Sequence, residues 1–386
     1  MELYIHIPFC VRKCRYCSFV SFPASEEEKN AYISLLLREA ELRCGEISSP
    51  IETVYIGGGT PSLLSPGQLK QLVSGLRRLF PFSEAAEFSL EANPGTITES
   101  FLDAAILSGI NRLSVGMQAF QPRLLTFLGR FHSFDDVKHS VSMARSAGIN
   151  NLNLDLIFGI PSQTMSEWNE SLEAALQLAP EHLSAYGLIP EEGTPLFRSL
   201  ENKEISLPDP DLEREMYDLL ISKLHDAGLE QYEISNFASP GFECRHNIGY
   251  WMQVPYLGLG ISAASMRILQ HNKEGMTCLR TCNLSDYEGY RDMITSGMFS
   301  PAVSETVSPS ESRFETLMLS LRMNQGISGE RYRLLHGVSI ESCYGKKLAY
   351  MCEKGFMRCD SGVWSLTRKG MDIQNSILVE FMEDPV

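Results

Sequence analysis

The feature that most restricts the fold of this chain is a repeated alternation of short apolar segments and longer amphipathic segments over residues 1–235. Six apolar segments are predicted to be strands, each followed by a turn signal and a helical pattern. They are Leu3–Ile7, Thr53–Ile56, Glu87–Glu91, Arg112–Gly116, Leu152–Ile157 and Leu183–Leu188. Because parallel strands need crossover helices, and such crossovers are right-handed, six units are expected to curve into a partial (β/α)6 barrel.

The alternation stops after this region, and a second, smaller domain is expected. We predict an α/β chain with the partial barrel at residues 1–235, a connecting segment at 236–305 and an α+β, winged-helix-like domain at 306–386. The C-terminal prediction rests on two helices, a hairpin with its turn and a last helix after the hairpin. The helices and hairpin with assigned bounds are Glu311–Met323, Gly345–Lys354 and Phe356–Cys359 with Val363–Leu366, turned by Asp360-Ser361-Gly362.

Composition narrows the classes of partner. Apolar residues make up 44% and charged residues 21% of the 386 residues, which is typical of a packed globule. No run of about 18 apolar residues is present, and no leader pattern precedes the first cysteine, so a cytoplasmic location is expected. The net charge of −15 repels the phosphate backbone, so nucleic acid is not an expected partner.

Three closely spaced cysteines, Cys10, Cys14 and Cys17, follow the first predicted strand, where parallel barrels gather their active-site loops. Three thiolates can hold a cubane cluster and leave one iron free for an outside ligand. Structural zinc sites usually have four protein ligands, and no Cys or His follows Cys17 at normal spacing. The spacing therefore favours a [4Fe-4S] cluster over the alternatives of a zinc site or three buried thiols.

Glycines and polar residues follow the next strands at the same predicted barrel end. Gly57-Gly58-Gly59-Thr60-Pro61 follows the second strand, where residues without side chains let the backbone approach a ligand closely. Glu91 ends the third strand, Gln118 and Arg130 follow the fourth, and Asp155 lies in the fifth. A plain turn and singly buried polar residues are the alternatives, but convergence of several strand ends favours a binding pocket.

The cysteine triplet resembles the signature of radical S-adenosylmethionine (SAM) enzymes, whose partial barrel matches the predicted number of units. The resemblance implies a [4Fe-4S] cluster with Cys10, Cys14 and Cys17 as metal ligands, and SAM bound beside it. It also implies a set of residues that contact SAM, at Tyr4, Tyr16, Gly58, Gly59, Thr60, Glu91, Gln118, Arg130 and Asp155.

Within that superfamily the chain is similar to the coproporphyrinogen III dehydrogenase group over nearly its whole length. The matching segments are Tyr-Ile-His-Ile-Pro-Phe-Cys, Gly-Gly-Gly-Thr-Pro-Ser, Ser-Val-Gly-Met-Gln and Asp-Leu-Ile-Phe-Gly-Ile-Pro. Dehydrogenases of the group carry a further Cys just beyond the triplet and an N-terminal extension, whereas Ser18 and Phe19 follow Cys17 here and Cys10 is close to the first residue. In both respects the chain resembles the shorter HemW-type haem chaperones.

A second segment, His246-Asn247-Ile248-Gly249-Tyr250-Trp251, resembles the HNxxYW pattern of these chaperones. An imidazole can ligate haem iron, and Tyr and Trp rings offer flat apolar surface to the macrocycle. From residue chemistry alone, a capped turn with a satisfied histidine and core aromatics is an equal alternative. With the resemblance, the candidate haem-binding residues are His246, Asn247, Tyr250 and Trp251. Cys244 is a conceivable second ligand, but burial is the simpler expectation.

The resemblance implies a chaperone that binds haem, a [4Fe-4S] cluster and SAM and transfers haem to acceptor apoproteins. A homodimer, and a membrane-surface contact for membrane-bound acceptors, are further expectations. The alternative is an enzyme of haem biosynthesis, an oxygen-independent coproporphyrinogen III dehydrogenase that decarboxylates propionates by radical chemistry. A radical reaction on another substrate is a third alternative, because a barrel does not fix the chemistry. No residue is predicted to be catalytic.

Overall fold

The computed structural model of the chain describes residues 1–272 and 275–382 and is built around one open sheet of twelve strands. Six strands near its centre run parallel, in chain order. They are β1 (Glu2–Ile7), β2 (Ile51–Gly58), β3 (Phe82–Ala92), β4 (Arg112–Gln118), β5 (Leu152–Phe158) and β6 (His182–Gly187). Each overlaps a predicted strand, and the predicted partial (β/α)6 architecture is confirmed.

Eight α-helices occur between β1 and the strands that follow β6. They are α1 (Glu26–Arg43), α2 (Pro66–Leu79), α3 (Glu99–Ser108), α4 (Pro122–Leu128), α5 (Phe134–Ser146), α6 (Met165–Leu176), α7 (Pro195–Glu201) and α8 (Pro210–Asp226). α1 begins with a capping box, in which Ser25 Oγ accepts from the Glu28 N–H at 3.3 Å and the Glu28 carboxylate accepts from the Ser25 N–H at 2.7 Å. The apolar face of α1 then packs on the sheet at Ile33, Leu36 and Ala40.

Further strands extend the sheet at both edges. At one edge, β8 (Asn236–Ala238) pairs antiparallel with β6, and β7 (Glu230–Glu233) pairs antiparallel with β8. After α9 (Arg245–Trp251), β9 (Tyr256–Leu259) pairs parallel to β1. Beyond β9 the sheet continues through β10 (Ala264–Asn272), β11 (Gly275–Cys282) and β12 (Val303–Val307). The helix α10 (Tyr287–Ser296) lies between β11 and β12 in the chain. Strands within the expected connecting segment therefore hydrogen-bond into the main sheet, which the sequence did not predict.

A second buried core lies in the C-terminal part of the chain. Its elements are α11 (Pro309–Ser320), β13 (Ile327–Ser328), α12 (Gly329–His336), α13 (Ile340–Glu353), β14 (Met357–Asp360), β15 (Val363–Leu366), α14 (Arg368–Asp372) and α15 (Gln374–Phe381). The two predicted helices and the hairpin are present, whereas α12 was missed because eight residues are too few for a clear helical period. None of the helices in residues 1–272 and 275–382 has the length and apolar character needed to cross a membrane.

A buried ion pair fastens α1 to β9 and to the residues just after it. Arg43 Nη1 donates to Glu39 Oε1 at 3.0 Å and to the Gly258 carbonyl at 2.9 Å. The other Glu39 oxygen accepts from the Gly260 N–H at 2.8 Å, and Asn283 Nδ2 donates to Glu39 Oε1 at 2.7 Å. Both charged side chains are almost fully buried. Because each buried charge depends on the other, the pair holds α1 in a fixed position on β9.

The substitution Arg43→Met is expected to lower the free energy of unfolding by about 3 kcal/mol, because it leaves the Glu39 carboxylate buried without its cation. Arg38→Met, on the same helix, is the matched control, since the Arg38 and Glu41 side chains are 54% and 50% exposed. Its effect should stay below about 0.5 kcal/mol. Urea unfolding followed by circular dichroism measures both variants, and similar losses in the two would contradict the proposed importance of the buried pair.

Candidate functional site

A cavity of about 460 Å³ lies at the carboxyl ends of the parallel strands. The loop after β1, the ends of β2 to β6 and the segment after α4 contribute to its wall. Eleven residues singled out from the sequence line it: Cys10, Cys14, Tyr16, Cys17, Gly58, Gly59, Thr60, Glu91, Gln118, Arg130 and Asp155. The fold therefore brings into one pocket residues that are more than 140 positions apart in the chain, since Cys10 and Asp155 share its wall.

The three cysteines lie on the loop between β1 and α1. The Cys10 N–H donates to the Phe22 carbonyl at 3.1 Å, and the Cys17 N–H donates to the Cys14 carbonyl at 3.4 Å. All three thiols are partly exposed, and burial raises the pKa of the Cys14 and Cys17 thiols. Cys10 Sγ lies 3.5 Å from Thr60 Oγ1, so this loop meets the glycine turn that follows β2.

The chemistry of these donors fits a cubane cluster. In the part of the chain that the structure describes, no group of three His, Cys, Asp or Glu side chains converges on the position of a single metal ion. A cubane binds each thiolate through a different iron atom, so its three ligands do not have to converge on one point. Cys10, Cys14 and Cys17 can therefore hold three irons of a [4Fe-4S] cluster, and the fourth iron has no thiolate from the triplet.

The turn after β2 is restricted to glycine by conformation and by packing. Gly58 has a φ of 109°, in the left-handed region that glycine favours. A Cβ on Gly58 would lie 2.5 Å from the His6 ring, and a Cβ on Gly59 would lie 2.7 Å from the Phe9 carbonyl oxygen. The turn is therefore pressed against β1 and the cysteine loop, and its backbone forms part of the cavity wall.

Two carboxyl groups, Glu91 on β3 and Asp155 on β5, face the cavity. Glu91 accepts from the Tyr55 hydroxyl and from the Gly58 N–H, each at 3.0 Å. Burial, with a smaller contribution from the Asp155 carboxylate, raises the pKa of Glu91 to about 7. Burial also raises the pKa of Asp155, which accepts from Ser114 Oγ at 2.9 Å. Because both groups are held in one desolvated site, a cationic ligand would stabilise them as carboxylates.

Asn93 connects three walls of the cavity, and the sequence analysis did not select it. Its Nδ2 donates to Thr60 Oγ1 at 2.9 Å, and its Oδ1 accepts from Arg130 Nη1 at 2.6 Å. Arg130 Nη2 in turn donates to the Tyr16 hydroxyl at 3.0 Å. Asn93 lies two residues after Glu91, and this strand-end spacing of two is the signal that could have identified it.

The end of β4 is irregular at Gln118. The pairing register with β5 shifts between Gly116 and Gln118, and Gln118 has a φ of 65°, which is uncommon for a residue other than glycine. A Cβ on Gly116 would lie 2.7 Å from Gln118 Nε2, so the glycine leaves room for this side chain. Such conformations cluster at binding and catalytic sites, and this one places Gln118 in the cavity wall.

Comparison with known proteins identifies the family. Residues 4–175 match the model of the Radical SAM superfamily, and residues 307–373 match that of the HemN C-terminal domain. The chain is 35% identical over 381 residues to Heme chaperone HemW of Bacillus subtilis, with 98% of both chains covered. It is 32% identical over 387 residues to Heme chaperone HemW of Escherichia coli, with 100% of this chain and 98% of the relative covered. The chain belongs to the HemW family of radical SAM proteins.

The fold of this HemW-family chain is shared with a solved structure. Coproporphyrinogen III oxidase (HemN) from Escherichia coli, described as a radical SAM enzyme, superposes with a TM-score of 0.82 over 98% of this chain and 89% of that chain. The two sequences are 23% identical, so the similarity establishes a common fold. It confirms the predicted combination of a radical SAM sheet with a C-terminal domain.

Tyr4 is the predicted SAM-contacting residue that the structure places away from the cavity wall. Its hydroxyl is hydrogen-bonded to His6 Nδ1 at 3.0 Å, and its ring stacks on Tyr55 with a centroid distance of 6.5 Å. Tyr55, which was not selected from the sequence, lines the cavity and bonds Glu91. In this conformation Tyr4 therefore supports a wall residue and does not form part of the wall.

The histidine segment predicted to bind haem forms α9, and none of its candidate residues lines the cavity. His246 is 1% exposed, with Nδ1 at 2.7 Å from Thr53 Oγ1 and Nε2 at 3.0 Å from the Tyr250 hydroxyl. Its ring stacks on Tyr55 at a centroid distance of 5.3 Å. Burial lowers the pKa of His246 to about 3, so the ring is neutral at physiological pH. Both ring nitrogens are engaged, and ligation of haem iron by His246 would require one of these hydrogen bonds to break.

The remaining residues of the segment join the sheet to the C-terminal domain. The Tyr250 ring packs edge-on against Tyr256 at 4.7 Å, and the Arg322 guanidinium lies 4.4 Å from the centroid of the Trp251 ring. Arg331 donates to the Met252 carbonyl just beyond α9. Asn247 is partly exposed. The structure therefore gives this segment a packing role between two parts of the chain.

A carboxylate on β3 anchors the start of α9. Glu87 accepts from the Arg245 N–H at 3.0 Å and from the Cys244 thiol at 3.6 Å. Cys244 is fully buried, and burial raises the pKa of its thiol to about 12. The thiol therefore stays protonated and enclosed, which agrees with the expectation of burial and leaves it no access to a haem.

His246→Ala is expected to lower the free energy of unfolding by about 2–4 kcal/mol, because it removes a buried ring and leaves the Thr53 and Tyr250 hydroxyls without their partner. His225→Ala is the control, since the His225 side chain is 67% exposed, and it should change stability by less than about 0.5 kcal/mol. Denaturant unfolding at neutral pH compares the two. Equal stability of the His246 variant and the unchanged protein would contradict the packing role.

Proposed function

We propose that this chain is a haem chaperone that holds a [4Fe-4S] cluster and SAM in the cavity, binds haem and transfers it to acceptor apoproteins. The observation that carries the proposal is the similarity over the whole chain to relatives named heme chaperones. The cavity supports it, because it joins three thiols to a set of polar groups suited to an amino-acid ligand. The proposed location is the cytoplasm, and a homodimer and a membrane-surface contact stay predictions.

In this proposal Cys10, Cys14 and Cys17 hold the cluster, and SAM lies against the glycine turn and the carboxyl groups. The cluster and SAM together supply one-electron chemistry when they are bound. Gly58 and Gly59 admit the amino-acid part of SAM to the backbone of the turn. Glu91 and Asp155 accept hydrogen bonds from its ammonium group or its ribose hydroxyls. Because an ammonium group favours the carboxylate form, binding lowers the pKa of Glu91 and releases a proton near neutral pH.

Arg130 and Gln118 complete the proposed SAM site. Arg130 Nε is buried and has no hydrogen-bond partner among the described residues, while its other nitrogens are held by Asn93 and Tyr16. A fixed guanidinium with a free N–H suits the carboxylate end of an amino acid. Gln118 offers an amide at the end of β4 for a further polar contact. Side chains on β3, β4 and β5 and Arg130 after α4 thus bind and orient the ligand, together with the backbone of the turn after β2.

Each of the variants Cys10→Ala, Cys14→Ala and Cys17→Ala is expected to abolish the brown absorbance of the reconstituted protein while its circular dichroism stays unchanged, because a cubane needs all three thiolates. Cys44→Ala is the control, since Cys44 is exposed at the end of α1 and does not line the cavity. Iron and sulfide are assayed after anaerobic reconstitution. Full iron and sulfide content in any of the three variants would remove that cysteine from the proposed ligand set.

The function itself is tested on anaerobically reconstituted, full-length protein in two parallel samples. One is offered coproporphyrinogen III with SAM and a reductant, and the other is titrated with haem and followed by absorbance. We expect stoichiometric haem binding, transfer of that haem to an apoprotein and no formation of protoporphyrinogen. Decarboxylation of the propionates would instead establish the dehydrogenase activity, and absence of haem binding would refute the chaperone proposal.

A further inference from the structure

The mouth of the cavity carries an exposed apolar surface that the cluster and SAM do not account for. Three large apolar side chains on three loops are mostly exposed, namely Phe19 (61%), Phe131 (69%) and Ile189 (68%), and we call these three residues the mouth rim. Phe19 and Ile189 line the cavity. The Arg12 guanidinium, which also lines the cavity, lies 5.0 Å from the centroid of the Phe131 ring. Apolar exposure grouped around one opening is typical of a binding surface.

Two cations adjoin the mouth rim. Arg12 and Lys13 line the cavity on the cysteine loop, although the chain as a whole has a net charge of −15. A third cation of this loop, Arg15, already has partners within the protein. Its guanidinium lies 5.0 Å from the centroid of the Phe127 ring and donates to Ser199 Oγ at 3.2 Å. Arg12 instead lies over a ring that is itself exposed. The cysteine loop therefore presents local positive charge beside apolar surface, which would attract an anionic, apolar ligand in spite of the acidic chain.

Haem has this combination of properties, because it is a flat apolar ring with two anionic propionates on one edge. We propose that haem binds across the mouth rim, with its ring against Phe19, Phe131 and Ile189 and its propionates near Arg12 and Lys13. Aromatic and aliphatic side chains pack on the ring face, and the two cations pair with the carboxylates. The proposal rests on the proposed haem-binding function and places haem at a surface other than α9, where His246 is enclosed.

The ring contact is tested with two variants outside the cysteine loop, Phe131→Ser and Ile189→Ser. Each is expected to raise the haem Kd about fivefold, and the double variant at least about tenfold, because apolar contact area is lost. Leu107→Ser and Met298→Ser are matched controls, with side chains 77% and 73% exposed away from the cavity, and their Kd should not change. Haem titration uses full-length reconstituted protein, and cluster absorbance is recorded for every variant.

The propionate contact is tested with the double variant Arg12→Gln/Lys13→Gln and two probes, haem and haem dimethyl ester. The variant is expected to bind haem about tenfold more weakly and to bind the uncharged ester as the unchanged protein does. Lys70→Gln/Arg78→Gln on the exposed side of α2 makes the same change in net charge and is the control. If the control variant loses haem affinity to the same extent, the cause is a general charge effect, and the assignment of the two cations is overturned.

The outcomes separate this inference from the function on which it rests. If the unchanged protein binds haem and the mouth-rim variants bind it equally well, the mouth rim is not the haem site, whether or not His246→Ala loses haem. If the variants keep haem affinity but transfer haem more slowly to an apoprotein, the surface docks a protein and the inference is overturned. If the unchanged protein fails to bind haem, the chaperone function itself is refuted.

Discussion

β1 pairs parallel with both β2 and β9, and this pairing fixes where the cysteine loop and the glycine turn leave the sheet. The register pairs Ile7 with Gly58, and the Gly59 N–H donates to the Ile7 carbonyl at 2.8 Å. The cysteine loop and the glycine turn therefore leave the sheet at the same edge and meet at Cys10 and Thr60. Because side chains alternate between the faces of a strand, a shift of one residue in this register would turn Tyr55, the wall side chain of β2, to the opposite face.

One side chain, Tyr55, belongs both to the cavity and to the packing of α9. Its hydroxyl donates to Glu91, and its ring stacks on His246. The binding cavity and the histidine segment are therefore neighbours separated by a single ring, although His246 itself has no opening to the cavity. Polar side chains on β5 and β6 form a further network beside the cavity. His182 Nδ1 donates to Asn153 Oδ1 at 2.6 Å, and Asn153 Nδ2 donates to Asp155. Such a satisfied network fixes the carboxyl group of Asp155 at the base of the cavity.

The two proposed ligand sites differ in how they meet solvent, and the difference suits their roles. The SAM site consists of buried and half-buried polar groups, where desolvation strengthens each electrostatic contact. The mouth rim is an exposed surface, so a flat ligand lying on it keeps one face accessible to an acceptor. A ligand on the mouth rim can dissociate to another protein while the fold stays intact. A ligand bound to His246 in α9 would instead require the contacts of this ring with Thr53, Tyr250 and Tyr55 to be broken.

The parallel units, the cysteine triplet and eleven of the residues that line the cavity were predictable from the sequence, because periodicity, spacing and position at a strand end are local properties. The sequence did not predict β7 to β12 in the main sheet or the importance of Asn93 and Tyr55, since these depend on pairings between distant segments. It also left two alternatives for His246, haem ligand or packed side chain. The surroundings of His246 depend on the assembled fold, which places Tyr55 against its ring and Thr53, 193 positions earlier in the chain, within hydrogen-bond distance of it. Which buried groups find hydrogen-bond partners is a property of the assembled fold, and no local pattern encodes it.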